Sequence, residues 1–189
     1  MSKPVRRILT GHNEEGESVI LEDQENPNDV EIKGISGFIW HELWATDGAP
    51  TSNVGNADAA DRPLSLAPPD SGNVFRIIDM PPDSVRFGDG VDKNNTTSQY
   101  GGSDAYAAGA ASRHPGFHKT RTVDYAIIME GEVYAMMDVG ETKMGPGDVL
   151  IQRGTNHAWS NRSDAPCRIA FILIDAEALP ADIPEMDYA

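Results

Sequence analysis

From residue 117 to residue 174 no apolar run outgrows a single β-strand, and each run ends at a turn. TVDYAIIM, VYAMM, TKM, VLI, HAWSN and CRIAFILI are separated by EGE, DVGE, GPGD, QRGTN and SDAP. Short strands at close, even spacing with glycine at the joints are the pattern of an antiparallel sandwich or barrel. The runs YAIIM and IAFILI are apolar on both faces of the pleat, which suits strands buried inside a double-layered barrel. A helical fold is excluded over this half.

Upstream the texture is looser. Short apolar segments at Val5–Leu9, Ser18–Leu21 and Ile35–Trp44 are punctuated by GHNEEG and QENPND, again β rather than helical in style. Residues 46–72 are small, polar and rich in Pro and Gly, so they read as a long loop. Asn73–Met80 reads as a strand that Pro81 and Pro82 end. A second loop is expected over about 82–113, outside the barrel; loops of this length are functional or disordered more often than incidental. There is no internal repeat and no helix of three turns; EALPADIPEM allows one short turn. The expected organisation is one structural domain: an N-terminal β extension with long loops packing on the barrel (1–113), a barrel core (114–177) and a C-terminal tail (178–189).

Charge narrows the partners. Thirty acidic against fifteen basic side chains leave a formal charge of −15. Such a surface repels nucleic acid rather than steering it in. No apolar run approaches the length of a membrane span, and the N-terminus has no stretch of signal-peptide character. A cytoplasmic protein is expected, with neither a nucleic-acid nor a membrane partner. The single Cys167 excludes an internal disulfide framework and a multi-cysteine zinc site.

Three of the five histidines fall in the β-rich half, and their neighbours form two blocks. The first is His118-Lys119-Thr120, three residues, Asp124, six residues, Gly131. The second is Gly147-Asp148, then Gly154-Thr155-Asn156-His157, then three residues to Asn161. These blocks resemble the two motifs of the cupin superfamily, over about 117–175. His118, Gly131, Gly147, Gly154, His157 and Asn161 fall on family positions. Thr120 replaces the second histidine of the family pair, Asp124 replaces its glutamate, and Gln152 stands where proline is usual.

The resemblance implies an all-β fold, an antiparallel double-stranded β-helix or jelly-roll barrel. It also implies one divalent metal, Fe, Mn or Zn, held by His118, Asp124 and His157. On one straight strand His118 and Asp124 would lie about 20 Å apart, so a bend at Arg121-Thr122 is required. Two imidazoles and one carboxylate with open positions suit such metals. The alternative is a metal-free barrel whose polar groups hydrogen-bond one another.

Tyr125, Gln152 and His114 are candidate proton carriers; His114 is also a candidate substitute ligand, or a solvated loop residue. Trp159 shares a pleat face with His157 and is a candidate cavity wall or core residue. Arg153 is a candidate carboxylate anchor or a surface residue. His41 reads as packed, Glu42 as solvated, and Cys167 as unreactive. The function expected is a metal-dependent cupin enzyme acting on a small organic molecule by oxygenation, decarboxylation, isomerisation or dehydration. The alternative is a metal-free small-molecule binding module. A homodimer is expected, with VRRIL and GFIWHELW crossing to the neighbour, a habit the resemblance implies.

Overall fold

The computed structural model describes residues 3–108 and 113–179. The chain starts with a hairpin, β1 (Arg6–His12) and β2 (Ser18–Glu25), that forms a separate two-stranded sheet. Next come β3 (Asp29–Glu31), β4 (Ile39–Thr46) and β5 (Asn73–Met80). Three short helices follow: α1 (Asp83–Arg86), α2 (Lys93–Ser98) and α3 (Ser103–Ala108). The second half is β6 (Thr122–Glu130), β7 (Val133–Met137), β8 (Glu141–Met144), β9 (Val149–Arg153), β10 (His157–Ser160) and β11 (Cys167–Asp175).

A six-stranded antiparallel sheet has the order β3-β4-β5-β11-β6-β9, and a three-stranded sheet the order β10-β7-β8. One core joins them. Trp40, Val74, Ile78, Ala126, Ile128, Ile169 and Phe171 of the large sheet share it with Val133, Ala135, Met144 and Trp159 of the small one. Trp159 meets Phe171 edge-on, with ring centroids 5.4 Å apart. This is the jelly-roll barrel of the expectation, built on period-two alternation. On β6, Thr122, Asp124, Ala126 and Ile128 point inward, and Val123, Tyr125 and Ile127 point out.

Gly131 shows why one turn needs glycine. It sits at φ +75° between β6 and β7, and a Cβ there would lie 2.6 Å from the Pro166 carbonyl oxygen. Only a residue without Cβ takes that conformation at that distance from a neighbouring strand connection.

GFIWHELW supplies β4, paired on both sides with strands of its own chain, and it buries Phe38 and Trp40 in the core. The structure corrects one expectation upstream. The 82–113 stretch is not a loop outside the barrel. Its described residues hold the three helices, with Asp92 capping α2 through the backbone N–H groups of Asn94 and Asn95. Tyr100, just beyond α2, stacks on Trp40 at 4.6 Å. The helices are short because Gly88, Gly90, Gly101 and Gly102 interrupt them. The 46–72 stretch beyond Thr46 contains no regular element, as its composition requires. Most of the 178–189 tail, and with it the expected turn in EALPADIPEM, lies outside the described residues.

The outer face of the large sheet is divided. At one end Val5 packs with Leu43, Ile77 and Ala170. Beside it the buried His41 ring lies between Asp29 (2.8 Å) and Asp79 (3.3 Å), and Arg168 holds Asp79 through two hydrogen bonds of 2.6 and 2.7 Å. At the other end Phe75, Ile172, Tyr125 and Ile151 stand in register across four strands, with Phe75, Tyr125 and Ile151 exposed.

Candidate functional site

The site lies where the chain leaves the helices and enters β6. Phe117 is buried, and His118 forms an isolated antiparallel bridge with His157 at the start of β10. Backbone bonds run both ways, from His118 N to His157 O at 2.9 Å and from His157 N to His118 O at 3.0 Å. The two imidazoles therefore lie side by side, ring centroids 4.3 Å apart and inclined at 50°. The bend needed between His118 and Asp124 occurs at Arg121, and β6 begins at Thr122.

Each ring is anchored by the same device. His118 Nδ1 lies 3.0 Å from the Gly116 carbonyl, and His157 Nδ1 lies 3.0 Å from the Thr155 carbonyl. A carbonyl only accepts, so each Nδ1 carries the proton and each Nε2 keeps a lone pair. No hydrogen bond among the described residues engages either Nε2. Burial disfavours the imidazolium, driving His157 down to about 4. Burial also drives His118 well below its ordinary value, helped by His157 and by the charges of Arg86 and Lys93. Both rings are neutral at physiological pH.

Both histidines line a small cavity of about 50 Å³ that is partly open to solvent. Its walls are mainly aromatic and aliphatic, with Phe38, Trp40, Tyr106, Trp159 and Phe171 prominent and Arg76 and Arg86 as the cations. Tyr106 of α3 stacks on His118 at 4.8 Å and 21°, so the helical cap closes this end of the barrel over the imidazoles. Arg76 is buried and held by Glu42 at 2.9 Å. Its other donors reach the Ser65 and Leu66 carbonyls, and its guanidinium lies over Trp40. Glu42 is thus buried, not solvated.

The structure separates the expected ligands. His118 and His157 meet, but among the described residues no third His, Cys, Asp or Glu joins them in a group suited to a metal. Thr120 turns its hydroxyl to Thr122, 2.8 Å away. Asp124 lies inward on β6, in register with Leu173 and Gln152. It is buried, and its Oδ1 has no hydrogen-bond partner. Burial raises its carboxyl to about 6, against the pull of the Thr122 hydroxyl and the Arg76 charge. Two imidazoles alone do not make the three-ligand centre that the resemblance implies.

The proton-carrier candidates also fall elsewhere. Tyr125 follows an inward residue, so the pleat turns it outward onto the apolar face. Gln152 is buried but spends its amide on Thr155, donating to the carbonyl (2.8 Å) and accepting from the hydroxyl (3.0 Å). His114 pairs with Asp83 at 3.0 Å and packs edge-on against Phe87. Arg153 is exposed. Cys167 is buried, and burial pushes its thiol up to about 12, so it is inert. Trp159 serves both readings, as core residue and cavity wall.

Tyr106, Arg76 and Arg86 were missed in sequence. For Arg76 a signal existed: in NVFRIIDM it shares inward parity with Val74, Ile78 and Met80. Tyr106 and Arg86 lie in short, glycine-interrupted segments where no periodicity develops.

Two antiparallel sheets closed on a cavity with a polar pair at one end define a small single-barrel fold. Residues 105–174 match the Cupin domain family, and over that segment the chain is a cupin. It is similar to the cupin-domain-containing oxidoreductase srdD of Neurospora crassa, 29% identical over 185 residues, 93% of this chain and 77% of that protein. The cupin-domain-containing oxidoreductase fogC of Aspergillus ruber is 29% identical over 182 residues, 93% and 74% respectively. Phomopsin biosynthesis cluster protein C' of Diaporthe leptostromiformis is 27% identical over 184 residues, 93% and 81%. Among the described residues no helix is long and apolar enough to cross a membrane.

Proposed function

We propose that the chain is a cupin enzyme of small-molecule biosynthesis that moves a proton on a substrate held in the barrel cavity. The relatives named as oxidoreductases and as a biosynthesis-cluster protein support an enzyme with a small organic substrate. The observation that carries the reaction type is the pair His118–His157. Each Nδ1 is tied to a carbonyl, each Nε2 is unengaged, and both rings line one cavity. Of the reactions open to the superfamily, this favours isomerisation and dehydration, which begin with proton removal.

Magnitudes narrow the substrate. Rings held neutral this strongly keep their lone pairs at physiological pH, but they are weak bases. They suit a carbon acid that is already acidic, such as carbon between two carbonyls. Nε2 of one ring takes the proton and becomes imidazolium, the C–H electron pair passes into the enolate, and the proton returns from the same ring or its neighbour. No net oxidation occurs. A metal, if the protein takes one, would supply Lewis-acid polarisation of the carbonyl.

The test is exchange of the α-proton of a 2-substituted β-keto ester into deuterated water, followed by NMR. Wild type should accelerate exchange after chelator treatment, and His118→Ala with His157→Ala should abolish the acceleration. Acceleration that survives in the double variant overturns the reading. Loss on chelation with recovery on adding Fe(II), Mn(II) or Zn(II) would restore the metal-centred expectation. Binding of the ester without exchange would favour the binding module.

A further inference from the structure

Four arginines are buried among the described residues: Arg7, Arg76, Arg86 and Arg168. Three of them hold a carboxylate at close range. Arg7 pairs with Asp58 (2.5 Å), Arg76 with Glu42 (2.9 Å) and Arg168 with Asp79 (2.6 Å). Arg86 differs. Its nearest carboxylate, Asp83, is 3.8 Å away, beyond hydrogen-bond distance. Asp83 is occupied in any case: Oδ2 accepts from Ser160 (2.5 Å) and lies 3.0 Å from His114 Nε2, and Oδ1 accepts from the Asn161 N–H (3.1 Å).

Arg86 is 6% exposed, yet among the described residues its only hydrogen bond is from Nη1 to the Trp159 carbonyl at 2.9 Å. A guanidinium carries five N–H donors. Its plane lies over Phe38 and Phe87, at 5.2 and 4.8 Å from the ring centroids, which offsets part of the charge but takes up no donor. A buried cation is retained when something pairs with it. Here the vacant donors belong to a residue that lines the histidine cavity. α1 is fixed to β10 through Asp83 and Ser160, so the guanidinium is set in place before any ligand arrives.

We propose that Arg86 is the anion anchor of this cavity, and that the substrate is a planar, partly aromatic or conjugated carboxylate. The anion is recognised by the planar guanidinium fork, and the flat body lies between Phe38, Trp40, Trp159 and Phe171. The geometry distinguishes Arg86 from Arg76, whose guanidinium is ion-paired with Glu42 at 2.9 Å and also donates to two carbonyls. It also replaces the surface Arg153 as carboxylate anchor. The substrate assignment rests on the proposed proton-transfer reading of the same cavity, while the anchor itself is tested by binding alone.

Benzoate and benzamide are the probes, because they share a ring and differ in charge. Trp40 and Trp159 line the cavity and report binding by fluorescence. Wild type should bind benzoate on the order of 10- to 100-fold more tightly than benzamide, the range of a charge-assisted hydrogen bond. Arg86→Gln should bind the two alike. Equal binding of both probes by wild type overturns the proposal, and so does an undiminished benzoate preference in Arg86→Gln. Should Arg86→Gln fail to fold by circular dichroism, Arg86→Lys decides. With its charge kept but the planar fork lost, it should show a reduced preference for benzoate, and an unchanged one overturns the proposal. His118→Ala and His157→Ala keep the two readings distinct. In wild type, benzoate preference without proton exchange leaves the anchor standing and removes the base, and exchange without benzoate preference does the reverse; in the histidine variants, exchange lost with the preference kept supports both.

Discussion

Replacing Asp124 by asparagine should make the protein more stable, and only above about pH 4. The carboxyl is buried, its Oδ1 is unpaired, and burial moves it from an ordinary value of 3.8 to about 6. At about 1.4 kcal/mol per pH unit, holding it ionised at pH 7 costs the folded state about 3 kcal/mol. The direction follows from proton binding. A carboxyl with a raised folded value binds its proton more tightly folded than unfolded, so stability falls as pH climbs between those values. Below about pH 4 both states are protonated and the cost is absent. Asparagine keeps the shape and removes the charge. Urea unfolding of both proteins from pH 4 to pH 8 should give curves that converge at the acid end. They should separate to 1–3 kcal/mol, order of magnitude, at pH 7. A separation independent of pH, or an asparagine variant that loses stability as pH rises, would refute the reasoning.

The same logic runs in the opposite sense at His41. Burial opposes its charge, but Asp79 and Asp29 outweigh it, and the ring titrates above its ordinary value. Its contribution is therefore full below about pH 6.5 and lost as pH rises through the folded value; denaturation of His41→Gln against wild type should differ most at pH 5.5 and least at pH 9. Asn161 is fully buried and donates to the Met80 and Ala165 carbonyls while accepting from the Ser163 backbone and hydroxyl. Asn161→Ala should lose about 2–5 kcal/mol by chemical denaturation, and a loss under 1 kcal/mol would contradict that bonding. The row Phe75, Ile172, Tyr125 and Ile151 predicts self-association through the outer face. Light scattering should show a dimer that Tyr125→Glu with Ile151→Lys reduces to 20.4 kDa, and a wild-type monomer at micromolar concentration would refute it.

What the sequence carried was local repetition. Strands β6 to β11 were legible because period-two burial and turn glycines recur within a few residues. His118 and His157 were legible because their spacing is that of the cupin blocks. At Asp124 spacing alone was not enough: it locates a residue along the chain, whereas ligation depends on how far a side chain reaches across the barrel. Asp124 is one methylene shorter than the family glutamate, and it sits in register with Gln152 rather than in a group with the imidazoles. Tyr125 was misread by a parity step. Arg86 was invisible for a different reason: its importance lies in what does not pair with it, and unpaired donors leave no trace in a linear pattern. The helical cap was read as loop because α2 and α3 are six residues each, too short for an apolar stripe, and they are held by stacking onto Trp40 and His118.

The large sheet takes neighbouring strands from both sides of residue 113. β11, the most apolar strand of the chain, is flanked by β5 on one side and β6 on the other. A chain cut to the recognisable family segment, 105–174, would strip β5 away and leave one whole edge of CRIAFILI with free amides and carbonyls. Such an edge recruits any passing strand. The smallest autonomous unit is therefore longer than the family segment it contains, and trimming toward that segment should yield inclusion bodies rather than a minimal barrel.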